Sequence, residues 1–162
     1  MNQQQYKVTS ENGRATLEFF APFDDHIDFA QLNLGFVTEV DIDFDRVTSI
    51  NSKGIKKWID WISRFSKGTE VRFHKVPKVI IDQINMVMDF LPENGSVKSF
   101  YVPYFSDESG EEKVVLITFG KDYDHVSISM PEVKDTQGNI MYPDVHERKY
   151  FSFLKRKTNG QV

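Results

Sequence analysis

The sequence predicts an α/β fold: a mixed sheet with helices packed on one face, then a small β-rich C-terminal extension and a terminal helix. Three observations carry this. Residues 39–44 alternate strictly, with Val40, Ile42 and Phe44 on one side and Asp41, Asp43 and Asp45 on the other, the period of a half-buried strand. Apolar residues then recur at Ile55, Trp58, Ile59, Ile62 and Phe65, and again at Ile80, Ile84, Val87, Met88 and Leu91, each set forming one helical face. Short segments rich in β-branched and aromatic residues separate these stripes. Strands joined through helices imply parallel pairing with right-handed crossovers.

The elements follow in order. Residues 6–10 and 15–20 read as strands, with Glu11-Asn12-Gly13 as a tight hairpin turn. Residues 22–35 are less regular, and 28–34 fit a short helix or a turn. In the first helix Ser52 is expected as the N-cap and Gly68 as the C-cap. Its polar face carries Lys53, Lys56, Lys57, Asp60, Arg64 and Lys67. Residues 69–74 form a strand. Pro77 suits the first turn of the second helix, which Pro92 and Gly95 stop. Residues 97–105 form the next strand, 106–112 a polar turn, 113–119 a strand, 126–130 another, and 135–138 a turn. Asp144 with Glu147 makes a capping-box pattern opening a short helix that carries Tyr150, Phe153 and Leu154. Residues 1–103 thus form the main α/β domain, 104–143 the β-rich extension and 144–162 the C-terminal helix and tail.

Composition excludes several classes of function. With 162 residues the chain is long enough for a real core. It has no cysteine, which excludes disulfides, a thiol nucleophile and thiolate metal sites. The polar start Met1-Asn2-Gln3-Gln4-Gln5 predicts no signal peptide, and no apolar run approaches the ~20 residues of a membrane span. A cytoplasmic protein without membrane insertion is expected. The net charge of −4 is segmented. Residues 11–45 hold nine acids against Arg14, residues 46–78 hold nine bases against Asp60 and Glu70, and the tail carries Arg148, Lys149, Lys155, Arg156 and Lys157. Either opposite patches neutralise one another within the fold, or a basic face is kept for an acidic partner.

The stretch Ile42-Asp43-Phe44-Asp45-Arg46-Val47-Thr48-Ser49-Ile50-Asn51-Ser52-Lys53-Gly54-Ile55 resembles the STAS domain family, which groups the anti-sigma factor antagonists with the cytoplasmic domains of sulfate transporters. The family pattern is an apolar strand with Asp, a loop, then Asp-Ser-x-Gly opening a helix. The resemblance covers roughly residues 5–105. It implies a bacterial, non-enzymatic interaction module that docks to a signalling or regulatory protein. In the antagonist branch a serine at the third position of the motif is phosphorylated, which switches a complex on or off. Here Asn51 replaces the common Asp and Lys53 occupies the phosphoserine position, so regulation there is not expected. Ser52 or Ser49 could accept a phosphate instead, against a capping role for Ser52. The candidate partner-binding set is therefore Ser49, Asn51, Ser52, Lys53, Lys56, Lys57 and Arg64, suited to a partner with an acidic surface.

Residues 104–112 and 134–138 are similar to the two knuckles of a zinc ribbon, with Ser106, Ser109, Lys134 and Gln137 at the four ligand positions. Tetrahedral zinc needs deprotonated thiolates or imidazoles, which these residues do not supply. A metal-free ribbon would be held by Val114, Leu116, Phe119, Ile128, Met130 and the C-terminal aromatics. The alternative is two polar turns that happen to share this spacing. His26, His74, His125 and His146 lie at no metal-ligand spacing, and Asp41, Asp43 and Asp45 read as a solvent-facing rim more readily than a cation site. No nucleotide loop, nucleophile elbow or zinc-protease motif is present, so no catalytic residue, metal or cofactor is expected. Nor is nucleic acid an expected partner. Two other readings remain: a nucleotide or lipid sensor using the helix N-terminus at Ser52, and a homodimer through Val79, Ile81, Met86 and Phe90, a face that the C-terminal extension could equally cover.

Overall fold

A computed structural model describes residues 4–155. The basic tail residues Arg156 and Lys157 lie outside the described residues. The chain is mixed α/β. Its first sheet has five strands, Tyr6–Glu11 (β1), Arg14–Phe19 (β2), Glu39–Asp43 (β3), Glu70–His74 (β4) and Gly95–Val97 (β5), in the order β1-β2-β3-β4-β5. β1 and β2 form an antiparallel hairpin, and β2 to β5 run parallel. The hairpin turn places Asn12 and Gly13 at φ 52° and 78°, the pair of positive φ values that a type I′ turn requires.

The register aligns Leu17, Ile42, Phe73 and Val97 in one row and Ala15, Val40 and Val71 in another, all buried on the same face. Helix Ser52–Ile62 (α1) packs there through Trp58, whose ring lies 5.6 Å from Phe44 and 5.8 Å from Phe73. The second helix, Lys78–Met86 (α2), joins β4 to β5. The parallel strands follow one another in a single direction across the sheet, so right-handed crossovers all fall on one face. The first of them, residues 20–38, contains no helix. It buries Phe23, Ile27, Phe29, Leu32 and Val37 against the same core.

Several boundaries depart from expectation. The N-cap of α1 is Asn51, whose side chain accepts from the Gly54 N–H, while Ser52 is the first helical residue. The helix ends at Ile62 with Ser63 as its C-cap, well before Gly68, and beyond it the Arg64 and Phe65 N–H groups bond to Trp61 O and Ile62 O in tighter turns. Trp61, absent from the expected stripe, is buried, and Ile55 and Ile59 are half-buried. α2 stops at Met86 because Val87 is extended, and the turn beyond it places Asp89 at φ 63°.

The strand expected over 97–105 divides at Lys98. Its second part, Ser99–Phe105 (β6), belongs to a four-stranded antiparallel sheet with Glu112–Thr118 (β7), Val133–Lys134 (β8) and Ile140–Pro143 (β9), in the order β7-β6-β9-β8. At the division Ser99 Oγ accepts from the backbone of Lys75, which itself sits at φ 48°. Residue 103, where the sequence reading divides the chain, lies inside β6, and one hydrophobic core spans both sheets. Residues 126–130 form no strand; Ile128 makes an isolated bridge to Tyr123. Asp144 is not a cap: the terminal turns Glu147–Tyr150 (α3) and Ser152–Lys155 (α4) begin at His146, and the Asp144 N–H bonds to Pro103 O. These turns cover α2. Asn85 donates to Tyr150 O and accepts from Ser152, and both Ile81 and Phe90 are fully buried. Of the four residues expected for a homodimer through α2, Ile81 and Phe90 are thus buried within the chain and Val79 is half-buried, while Met86 stays 60% exposed.

Trp58 is fully enclosed and its Nε1 donates to Phe90 O at 2.9 Å. Trp58→Ala should lower unfolding free energy by about 3–5 kcal/mol, from lost apolar burial and the cavity left behind. Urea denaturation followed by far-UV circular dichroism measures this.

Candidate functional site

The loop at 49–54 is built by a close crossing of two chain segments. Phe23 pairs with Ile50 in a parallel bridge: the Phe23 N–H donates to Ser49 O and the Asn51 N–H to Phe23 O, both at 3.0 Å. The Phe23-Asp24 backbone then passes so near the first turn of α1 that a Cβ on Gly54 would lie 1.7 Å from Phe23 O. Only glycine fits there. This is the physical reason for the glycine in the motif: it admits a backbone rather than a ligand.

The same crossing disposes of part of the basic face. Lys57 Nζ donates to the carbonyls of Asp25 and Ile27, each at 2.7 Å, so its charge closes the 25–27 loop. Lys53 lies 3.8 Å from Asp25. Ser49, Asn51, Ser52, Lys53, Lys56 and Arg64 are exposed, the first five on the loop and the first turns of α1 and Arg64 in the turn after its C-cap. The structure therefore gathers Ser49, Asn51, Ser52, Lys53 and Lys56 at the N-terminal end of α1, leaves Arg64 beyond its other end, and withdraws Lys57 into a structural role. Asp25, which the sequence reading did not include, flanks them. Its own backbone N–H, then His26 and Lys53, hold its carboxyl below the usual range.

A second polar constellation covers the open face of the first sheet. Arg72 on β4 donates from Nε and Nη2 to Asp41 and from Nη2 to Glu39, at 2.7–2.8 Å. His74 Nε2 lies 2.6 Å from Asp41, and Lys75 Nζ lies 3.0 Å from Asp43. The parallel register sets Asp41 beside Arg72 and Asp43 beside His74, so the acids of residues 39–43 face the bases of 72–75. Asp45 accepts from the Tyr101 hydroxyl. The hydrogen bonds from Arg72 outweigh burial and, with His74, hold the Asp41 carboxyl below its ordinary range. Glu39, Asp41 and Asp43 thus have cationic partners and Asp45 a hydroxyl one, and among the described residues no group of three metal-ligating side chains is placed to hold an ion.

The two turns of the C-terminal extension do meet. Ser106, fully buried, donates from Oγ to Asp135 Oδ2 at 2.7 Å, and its own Oγ accepts from the Ser109 N–H. Asp135 Oδ1 accepts from the Gln137 and Asn139 N–H groups and Oδ2 from Asn139 Nδ2. Burial alone would raise the Asp135 carboxyl; hydrogen bonds from Ser109, Asn139 and Ser106 overcome it and hold the group well below the carboxylate range. Of the four ribbon-like positions, Ser106 and Ser109 enter this junction, whereas Lys134 and Gln137 are exposed. The group between the turns is Asp135, whose neighbour Gly138 at φ 87° marks the tight turn around it. Val114 and Leu116 do not serve as ribbon core. They point outward, whereas Phe119, Ile128 and Met130 pack on the core.

A shallow groove of about 260 Å³ lies between α2 and α3, bordered by Lys78, Asp82, Met86, His146 and Lys149. Its charges are partly committed, since Lys78 and Asp82 are 2.7 Å apart. No helix of the described residues is long and apolar enough to cross a membrane. No protein-family model matches the chain, and comparison with curated proteins and with solved structures yields no match.

Gly54→Ala should destabilise by more than the usual ~1–3 kcal/mol of overpacking, because the obstruction is backbone rather than a movable side chain. Thermal unfolding against a Ser52→Ala control measures it. Acid should also weaken the fold. The folded pKa values of Glu39, Asp41 and Asp135 lie below their unfolded values, so their stabilisation is complete above about pH 4–5 and is lost as pH falls through the folded values. Asp135→Asn should be less stable at pH 7 and show a shallower loss between neutral and acid pH, read from urea midpoints.

Proposed function

We propose that this chain is a non-enzymatic, STAS-like protein-interaction module of a bacterial cytoplasm. It docks to a signalling or regulatory partner through the 49–54 loop and the outer side of α1. The observation that carries this reading is the division of labour at that loop. Asn51 caps the helix, Gly54 admits the crossing backbone and Lys57 closes the 25–27 loop. Lys53 and Lys56 remain exposed in the first turns of α1 with Ser49 and Ser52 at its start, and Arg64 is exposed just past its C-cap. A rigid platform presenting three cations suits an acidic surface, whose charges it would steer and register.

Phosphorylation has no place at position 53, where lysine stands. Ser52 is exposed within the first turn and stays the candidate acceptor on this surface. A phosphate there would offset the neighbouring cations and weaken an acidic partner's hold.

The sensor reading finds less support. In open α/β sheets ligands lodge where the strand order reverses direction, and here β2 to β5 step one way only. The groove beside α2 falls short of the ~300–1,000 Å³ typical of ligand pockets.

Affinity capture with the wild-type chain and with the Lys53→Glu/Lys56→Glu/Arg64→Glu variant tests the proposal. Partners retained by wild type should be lost from the variant at unchanged melting temperature. Equal retention would sink the placement. A thermal shift with nucleotides or phospholipid vesicles, absent on this reading, would favour the sensor.

A further inference from the structure

The four sheet edges are not alike. β1 reads Tyr-Lys-Val-Thr-Ser-Glu, with charges along it; β5 has three residues and β8 two. Such edges resist pairing because they are short or charged. β7 is different. Its seven residues, Glu-Lys-Val-Val-Leu-Ile-Thr, carry two charges as β1 does, but both at one end, which leaves the uncharged run Val-Val-Leu-Ile-Thr. They pair with β6 on one side, and among the described residues no strand pairs with the other.

Which β7 groups point outward follows from β6. Pro103 has no N–H and its carbonyl accepts from Asp144, on the β9 side; Tyr101 donates to Val76 O, again away from β7. Opposed antiparallel residues alternate between bonded and non-bonded pairs. Pro103–Val114 and Tyr101–Leu116 are therefore the non-bonded pairs, and the N–H and C=O of Glu112, Val114 and Leu116 face the open edge. Thr118, next in that series, is already used: its N–H bonds to Asp122 Oδ2 and its carbonyl accepts from Lys121 and Asp122. The open ladder is three outward residues long and centred on Val114.

We propose that a second copy of this chain occupies this edge, β7 pairing antiparallel with β7 about a two-fold axis at Val114. That register sets Glu112 of each copy opposite Leu116 of the other, matches all three outward residues and leaves both Thr118 residues undisturbed. A register shifted to centre on Val115 would require Thr118 to pair with Glu112, which the Asp122 loop prevents. Charge agrees with the two-fold. Exposed Asp107 and Glu108 lie beyond one end of β7, and Lys121, 79% exposed, beyond the other. Antiparallel pairing brings Asp107 and Glu108 of each copy toward the exposed Lys121 of its mate, whose carboxylate neighbour in its own chain, Asp122, lies 3.9 Å away. It also joins two apolar outer faces, each carrying Val114 (67% exposed) and Leu116 beside Pro103 and Tyr101. The result is a continuous eight-stranded sheet with an isologous interface. This association goes beyond the docking role proposed for α1 and does not involve its residues.

Sedimentation velocity over a wide concentration range tests it. The wild type should show a concentration-dependent monomer–dimer equilibrium. Val114→Pro removes one outward N–H that the monomer does not use, so a proline there is tolerated on the edge while the dimer is lost. Val114→Lys supplies a second variant that keeps the backbone donor and places a charge on the axis; it too should be monomeric with an unchanged circular dichroism spectrum. A wild type that stays monomeric throughout, or folded variants that dimerise like wild type, would overturn the assignment.

Discussion

One indole organises the first sheet. Trp58 rises from α1 into a cluster whose rings come from every connection around it: Phe19 from β2, Phe23 and Phe29 from the helix-free crossover, Phe44 after β3, Phe73 from β4 and Phe90 from the turn after α2. Edge-on and tilted geometries at 5.5–6.2 Å predominate, the arrangement that aromatic quadrupoles favour. The crossover at 20–38 depends on it most. Lacking a helix, that segment has no ladder of its own for its carbonyls. α1 supplies the missing donors: Lys57 bonds to Asp25 O and Ile27 O, and Trp61 Nε1 to Leu32 O at 3.0 Å. Helix and crossover are thus one unit, and the motif loop at 49–54 is where they meet.

The segregation of charge along the chain has a similar resolution. Acids at 39–43 and bases at 72–75 are far apart in sequence, but the parallel pairing of β3 with β4 lays them side by side. Their ion pairs lie on a half-exposed sheet face, where each contributes modestly, so their main effect is on register and specificity. A one-residue slip would break every pair and expose Val40 and Ile42 together. Lys53 and Lys56 on α1, and Arg64 just beyond its C-cap, take no part in these β3–β4 ion pairs.

The parts of this architecture that follow local periodicity were legible in the sequence. Val40, Ile42 and Phe44 alternate and are buried; Asn12-Gly13 is a turn; Ile80 and Ile84 face the core. The failures arise where tertiary contacts override the local pattern. Ser52 has good capping chemistry, yet Asn51 one place earlier is fixed by its backbone bond to Phe23 and takes the cap. Val87 and Met88 continue the α2 stripe, but Phe90 must turn back to cover Trp58, which ends the helix. Lys57 reads as solvated, and only the crossover's carbonyls reveal its role. Asp135 carried no signal apart from a turn composition, since its partners Ser106 and Ser109 lie far away in sequence.

Every buried side-chain polar atom among the described residues has a hydrogen-bond partner. The polar capacity of the interior is thus taken up by the fold. Asp135 shows the consequence: a carboxylate enclosed between two turns would be costly if left alone, but hydroxyl, amide and backbone donors saturate it, and the junction it forms is a fastening rather than a reactive centre. The same accounting applied to the backbone leads outward. Central strands and helices satisfy their own N–H and C=O groups, and the short or charged edges discourage additional pairing. β7 keeps a row of directional, unshared backbone groups beside apolar side chains. The two proposed surfaces thus differ in kind: the charged one at α1 would select by electrostatics, the backbone one on β7 by register.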